Sequence, residues 1–133
     1  MMHRQRRISA IAAAVLTVVC GAALVAGAGG AGAATKAKST VFITSGKGTA
    51  FKGKVTSPVA ACRKGRKVKL YRDTRLAARA GVVGTDTTDA TGAWVIHGNF
   101  LSANYYASVA ALTVHSHGKT YNCGFDVSVQ HKF

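Results

Sequence analysis

Acidic side chains are scarce in this 133-residue chain, which contains four aspartates and no glutamate. That shortage leaves little material for paired-carboxylate chemistry, such as glycoside hydrolysis, or for a carboxylate-rich calcium site. Motifs of other enzyme classes are missing as well, since the chain has no G-x-S-x-G elbow, no H-E-x-x-H and no phosphate-binding glycine loop. We therefore expect a protein that is not an enzyme and that needs no cofactor.

The first 34 residues have the composition of a secretory signal peptide. Three arginines within the first seven residues precede an apolar run over residues 8–26, and a segment rich in Ala and Gly follows. This order is typical of a helical signal that is removed on export. Cleavage before Ala34 or before Thr35 fits equally well, and either site predicts an exported chain that begins near Thr35.

Three alternatives concern the same segment. The apolar run of 19 residues is long enough for a permanent membrane anchor. Cys20 is a candidate for lipidation, although Val19 stands where lipid-modifying enzymes expect a small residue. The Arg6-Arg7 pair lacks the apolar continuation of a twin-arginine signal, so general secretion is favoured. We expect a secreted protein without a stable membrane span after processing, either free outside the cell or associated with the cell wall.

Basic residues dominate the expected mature chain. Without the three signal-peptide arginines, 15 of the 18 basic residues remain against four aspartates, a net charge of about +11. Thirteen of these basic residues lie in residues 36–79, where Asp73 is the only acid. Such a bias favours anionic partners.

Two cysteines remain after removal of the signal, Cys62 and Cys123. Because disulfides persist outside the cell, a Cys62–Cys123 bridge is the simplest prediction for a single domain of about 100 residues. Two free thiols acting as ligands or nucleophiles are the alternative.

Short alternating segments separated by turn residues predict an all-β domain over residues 40–133, after a short basic segment at 35–39. Seven strands are expected, at residues 40–44, 50–56, 66–72, 81–87, 93–97, 104–114 and 121–129. The last of these would place Tyr121, Cys123, Phe125, Val127 and Val129 on its inner face. Seven strands are enough for one antiparallel β-sandwich.

Several segments carry a family resemblance: AFKGKVTSPVAACRKGRKVKLYR from Ala50, VVGTDTTDATGAWVI from Val82, NYYASV from Asn104, and the late Cys123. Over residues 50–129 the chain resembles the secreted carboxypeptidase-regulatory-like, or transthyretin-like, β-sandwich domains of high-GC Gram-positive bacteria. The resemblance implies a transthyretin-like or immunoglobulin-like fold and a non-catalytic module. Its motifs are structural, namely a turn from Asp89 with Trp94 buried behind it and a corner hydrogen bond from the Tyr105 hydroxyl, so they indicate fold rather than function.

The basic surface is the main functional signal of the sequence. Alternation predicts that Lys67 and Lys69 project outward beside Tyr71, and that Lys52 and Lys54 join them if their two strands are neighbours. The full candidate set for binding an anionic partner is Lys52, Lys54, Arg63, Lys64, Arg66, Lys67 and Lys69. Expected partners are an anionic cell-wall polymer, an acidic glycan or lipid headgroups, while export and the lack of a recognition element argue against nucleic acid. Solvation of outward strand positions is the alternative explanation of these charges.

Two further features have weaker functional interpretations. His115 and His117 have the spacing of two metal ligands on one side of a strand or hairpin, with His97 or His131 as candidates for a third, yet solvated loop histidines explain them as well. Residues 74–80 depart from the family pattern by their length and basic character. The second functional hypothesis is therefore a small diffusible effector, an inhibitor or an antimicrobial protein, that acts through this loop. The sequence does not indicate an oligomeric state.

Overall fold

Alternating polar and apolar residues produce an all-β structure with several sheets in residues 32–73 and 81–133, and the predicted all-β class is confirmed. The computed structural model describes residues 32–73 and 81–133. The apolar run of the predicted signal peptide and the loop at residues 74–80 lie outside the described residues. Within the described ranges, no helix is long and apolar enough to cross a membrane.

Eleven strands and one short 3₁₀ helix occur in the described part of the chain. The strands are β1 (Thr35–Ala37), β2 (Thr40–Lys47), β3 (Ala50–Thr56), β4 (Lys67–Asp73), β5 (Gly81–Thr87), β6 (Ala93–His97), β7 (Asn104–Val109), β8 (Leu112–Ser116), β9 (Lys119–Cys123), β10 (Asp126–Val127) and β11 (His131–Lys132). The 3₁₀ helix, Ala60–Cys62, lies between β3 and β4.

The strands form three sheets. Sheet I has the order β2-β3-β6, sheet II the order β10-β7-β4-β5 with β11 also paired to β7, and sheet III the order β1-β9-β8. Neighbouring strands are antiparallel in sheets I and II, whereas β1 runs parallel to β9 in sheet III. Two pairs of strands, β2 with β3 and β8 with β9, are joined by two-residue links, which is why these neighbours are antiparallel.

Sheets I and II share one hydrophobic core. Alternation along each strand turns every second side chain inward, as on β3, where Phe51 and Val55 are buried and Lys52 and Lys54 are exposed. Ten buried residues, five from each sheet, make up this core: Val41, Phe51, Val55, Trp94 and Ile96 from sheet I, and Val68, Leu70, Tyr105, Ala107 and Val109 from sheet II. A smaller cluster of Ala37, Cys62 and Cys123 joins sheet III to the 3₁₀ helix.

The turn before β6 has the predicted form. Gly92 adopts a φ of +88°, a conformation that residues with a side chain rarely adopt. Asp89 Oδ1 accepts hydrogen bonds from the backbone N–H and the hydroxyl of Thr91 and from the backbone N–H of Ala93. The hydroxyl bond of Thr91, followed by these backbone bonds, lowers the pKa of Asp89 below its ordinary value of 3.8. Trp94 follows and is buried in the core.

The corner before β7 is also as predicted. Tyr105 is buried, and its hydroxyl donates a 2.7 Å hydrogen bond to the carbonyl oxygen of Leu101, four residues upstream. Its ring lies 4.7 Å from that of Phe51 on sheet I, so the same side chain fixes a loop and contacts the facing sheet.

The structure differs from the seven-strand prediction at its start, where Thr35–Ala37 of the predicted entry segment forms β1 and pairs with β9, and in its second half. The predicted strand at 104–114 is divided at Ala110 and Ala111, because the chain leaves sheet II after β7 and enters sheet III as β8. The predicted strand at 121–129 is divided after Cys123 for the same reason, since β9 belongs to sheet III and β10 to sheet II.

This division changes which side chains face inward near the carboxyl terminus. Cys123 is buried as predicted and Tyr121 is half-buried. Phe125, Val127 and Val129 were expected inside but are 63%, 44% and 85% exposed. The chain changes sheets between Cys123 and Asp126, so a single alternation cannot continue through this segment.

Candidate functional site

Lys67 and Lys69 border a cleft on the outer face of sheet II. Both lysines are exposed, whereas Val68 and Leu70, the alternating residues of β4, are buried in the core. The cleft has a volume of about 260 Å³, and Tyr71 and Phe125 line it together with the two lysines. The remaining lining residues, contributed by β7 and the link to β8, are Ser108, Ala110 and Ala111.

The pairing register of β4 with β7 determines which side chains are neighbours at this cleft. Lys69 lies opposite Ser108, and Tyr71 lies opposite Tyr106. The two tyrosine rings stack with their centroids 5.0 Å apart and their planes within 8° of each other. The site thus combines two ammonium groups, a hydroxyl group and exposed aromatic surface, which suits a ligand that has both anionic groups and rings.

Sequence reasoning identified only part of this cleft. Lys67, Lys69 and Tyr71 were expected on one outer face, and that placement is observed. Tyr106 and Ser108 were missed, although alternation along NYYASV with Tyr105, Ala107 and Val109 inward turns both of them outward. Phe125 was missed because it was expected in the core.

Lys52 and Lys54 do not join this cleft. Their strand, β3, belongs to sheet I, where it pairs with β2 and β6, while β4 pairs with β5 and β7 in sheet II. The inner residues of β3 and β4 belong to the same core. Because outward side chains point away from that core, the two lysine pairs occupy opposite outer faces rather than one continuous face.

Arg66 is part of the interior rather than of the basic surface. Its side chain is fully buried, and burial lowers the pKa of its guanidinium group below its ordinary value. Nη1 donates hydrogen bonds to Ser39 Oγ at 2.8 Å and to the carbonyl oxygen of Cys62 at 2.7 Å. Nη2 donates to the carbonyl oxygens of Ala110 at 2.7 Å and Gly124 at 2.8 Å. The cation is therefore held by neutral acceptors and is not available to a ligand.

The other two basic residues of the turn before β4 lie nearer the surface. Arg63 is half-buried, and its Nε donates a 2.8 Å hydrogen bond to the carbonyl oxygen of Ser57. Lys64 is exposed. Neither residue lines the cleft of Lys67 and Lys69.

Each aspartate accepts hydrogen bonds from uncharged donors among the described residues. Asp73 Oδ2 accepts a hydrogen bond from Gln130 Nε2 at 2.8 Å. Asp86 Oδ2 accepts from the backbone N–H of Val95 at 2.7 Å, and Asp126 Oδ2 accepts from that of Val41 at 2.8 Å. With Asp89 in its turn, all four carboxylates of the chain serve its own structure, so the basic surface has few acids to neutralise it.

The predicted disulfide is present. Cys62 and Cys123 are bonded, with their Cα atoms 5.4 Å apart and a sequence separation of 61. Both are buried, so this cysteine pair has a structural place in the smaller core cluster.

The histidine pair lies on the β8–β9 hairpin. Nδ1 of His115 lies 2.9 Å from Thr120 Oγ1, and Nδ1 of His117 lies 2.9 Å from Ser116 Oγ. His117 and Gly118 have φ values of 50° and 70°, which is the pattern of a type I′ hairpin turn. Among residues 32–73 and 81–133, no group of three or more His, Cys, Asp or Glu side chains is arranged to hold a metal ion.

One other cleft lies beside β2 and β3. Its volume is about 380 Å³, and it is lined by Lys38, Thr40, Thr56, Ser57 and Pro58. It offers one basic side chain and no aromatic ring, so it matches an anionic ligand less well than the cleft on sheet II.

A scan of the sequence against protein-family models found no matching family, and a search of curated proteins found no matching protein. The cleft formed by Lys67, Lys69, Tyr71 and Phe125 is the main functional feature of the described residues.

Proposed function

We propose that this chain is a secreted, non-catalytic β-sandwich module of the transthyretin-like or immunoglobulin-like type that binds an anionic polymer of the cell envelope or extracellular space. The two sheets that share one core support the sandwich assignment. The signal-like first 34 residues and the disulfide support export.

The observation that carries the binding proposal is the placement of Lys67 and Lys69 beside the rings of Tyr71 and Phe125. Phe125 keeps 63% of its surface exposed, so its ring is accessible to a ligand in the cleft. Ammonium groups attract carboxylate or phosphate, and aromatic faces contact the apolar faces of sugar rings.

The size of the cleft favours a polymer over a small molecule. Sites that enclose a small ligand measure roughly 300–1,000 Å³. At about 260 Å³, this cleft accommodates one part of a ligand and leaves the rest outside. A chain of acidic sugar or phosphate units fits that description, since one unit occupies the cleft and its neighbours continue across the sheet.

The test compares two charge-matched variants on an immobilised anionic wall fraction. K67Q/K69Q removes both ammonium groups of the cleft, and K36Q/K119Q removes two exposed lysines of sheet III. If each surface contact contributes about 0.2–1 kcal/mol, the first variant should bind about 2- to 30-fold more weakly than wild type and the second should bind as wild type does.

Salt dependence supplies the second readout. Wild-type retention should fall as ionic strength rises, because contacts in water are screened over about 8–10 Å near physiological salt. Equal binding by both variants, or retention that ignores salt, would show that the lysines serve solubility, and the proposal would be abandoned.

A further inference from the structure

The two lysine pairs of the chain point to opposite sides of one core. On β3, Phe51 and Val55 face inward and Lys52 and Lys54 face outward. On β4, the same alternation places Val68 and Leu70 inward and the other lysine pair outward. All four inward residues belong to a single buried cluster, so the lysine pairs are separated by the full thickness of both sheets.

That thickness makes the two pairs electrostatically independent. Packed sheets lie about 10 Å apart, and the lysine side chains extend outward from each of them. The distance between the two sets of ammonium groups therefore exceeds the Debye length of about 8 Å at physiological ionic strength. Under those conditions, an anion bound on one face does not neutralise the other face.

The outer face of sheet I, like that of sheet II, carries two exposed lysines at alternate positions of one strand. Lys54 lies between Phe42 and Ala93 in the register, and Lys52 lies between Ser45 and Val95. Strands β2, β3 and β6 contain no acidic residue. Two acids from sheet II reach this sheet, and both accept backbone hydrogen bonds at its edges, Asp86 from Val95 and Asp126 from Val41. Alternate residues on a strand are about 7 Å apart, so each face presents two cations to successive charges of a chain.

We infer that the protein cross-links two chains of a linear acidic polysaccharide, binding one chain on each face. This inference rests on the proposed function, to which it adds a second face and a class of polymer. A flat membrane contacts one face at a time, whereas separate polymer chains can approach both, so the opposite placement of the lysine pairs favours a polymer. Two simultaneous contacts also raise the overall affinity for a polymer network without any new contact in the molecule.

A bridging assay tests the inference with polygalacturonate as the carboxylated probe. Beads that carry immobilised polygalacturonate are loaded with protein, washed and then exposed to fluorescent polygalacturonate. Protein bound to the beads and polymer captured by that protein are measured separately. K52Q/K54Q and K67Q/K69Q each retain one lysine face, and K36Q/K119Q is the control with the same loss of charge. Melting temperatures of all four proteins verify that these exposed substitutions preserve the fold.

Wild type and K36Q/K119Q should capture the second polymer. Each single-face variant should still bind the beads, yet capture at least about ten-fold less fluorescent polymer per bound protein. Neutral dextran should not be captured by any of them.

Three results would overturn the inference. If both single-face variants capture polymer as wild type does, bridging does not depend on the two faces, even where weaker bead binding still supports the proposed function. If only one of them loses capture, the second polymer is held by association between protein molecules. If wild type aggregates anionic lipid vesicles or captures DNA but does not bridge polygalacturonate, the partner belongs to another class. Failure of wild type to bind any anionic polymer contradicts the proposed function itself.

Discussion

Arg66 shows how a single side chain can join distant segments of this fold. Its guanidinium group contacts the segment between β1 and β2 through Ser39 and the 3₁₀ helix through Cys62. It also contacts the links that follow β7 and β9, through Ala110 and Gly124. Three of these acceptors, on Ser39, Ala110 and Gly124, belong to segments that enter or leave sheet III, so Arg66 connects that sheet to the rest of the described structure. Its Nε has no hydrogen-bond partner among the described residues.

Replacing Arg66 by Met should therefore lower the free energy of unfolding by about 3 kcal/mol. The substitution leaves four acceptors without their donor, and unsatisfied buried groups cost about 1–3 kcal/mol each. It also removes the desolvation cost of a buried cation, so the net loss is smaller than the sum of these costs. Arg66→Lys should recover only part of the loss, because one ammonium group cannot reproduce the planar fork of donors. Urea unfolding measures both effects.

The neighbouring substitution Lys64→Met is the control, since Lys64 is exposed and should change stability by less than about 0.5 kcal/mol. If the free energy of unfolding of Arg66→Met lies within about 1 kcal/mol of the wild-type value, the prediction is contradicted. The hydrogen bonds of the guanidinium group would then only offset the cost of removing its charge from water.

The disulfide acts at the scale of elements, because it joins the 3₁₀ helix to the end of β9. Replacing both cysteines by Ala should lower the free energy of unfolding by about 2–5 kcal/mol, since the bond closes a long loop in the unfolded chain. Differential scanning calorimetry of the C62A/C123A variant measures the loss. Wild type unfolded in the presence of a reductant is the matched control, and it should melt near the temperature of the variant.

A variant that melts with oxidised wild type would contradict this prediction. It would mean that the small cluster of Ala37, Cys62 and Cys123 is stabilised by packing alone.

Local alternation was sufficient to predict much of the fold. The predicted strands at 50–56, 81–87 and 93–97 have the bounds of β3, β5 and β6. Outward lysines and inward apolar residues on β3 and β4 were also correct, because side-chain direction along a strand depends only on its own sequence. The disulfide followed from the number of cysteines expected outside the cell.

Features that depend on strand neighbours could not be predicted in this way. Nothing in the sequence of β3 or β4 specifies that they belong to different sheets, so the lysine pairs could not be assigned to separate faces. Arg66 precedes β4 and continues its alternation inward, but a buried cation is accepted only because acceptors from four distant segments meet there. Phe125 lies between two strands of different sheets, where alternation no longer applies.

At the scale of the whole molecule, two aspartates connect sheet I to sheet II at opposite edges. Asp86 on β5 accepts the backbone N–H of Val95 on β6, and Asp126 on β10 accepts that of Val41 on β2. β5 and β10 are the two ends of the order β10-β7-β4-β5, and β6 and β2 are the two ends of sheet I. Each carboxylate therefore accepts a hydrogen bond from a backbone N–H group at the edge of sheet I, where no further strand of the described structure is paired. Each bond also connects the two sheets at one side of their shared core.

The two edges should contribute unequally and independently to stability. The bond to Val41 is partly buried and the bond to Val95 is exposed, so Asp126→Ala should lower the free energy of unfolding by about 1.5–3 kcal/mol and Asp86→Ala by less than about 1 kcal/mol. Because the two sites lie at opposite edges without a shared partner, the double variant should show the sum of the two losses within about 0.5 kcal/mol.

Asp73→Ala is the control, since its exposed bond to Gln130 connects no sheets, and it should change stability by less than about 0.5 kcal/mol. Urea unfolding measures the free energy of unfolding of wild type and of the four variants. A loss in the double variant well beyond the sum would show that the edges act together, as expected if opening one side of the core loosens the other.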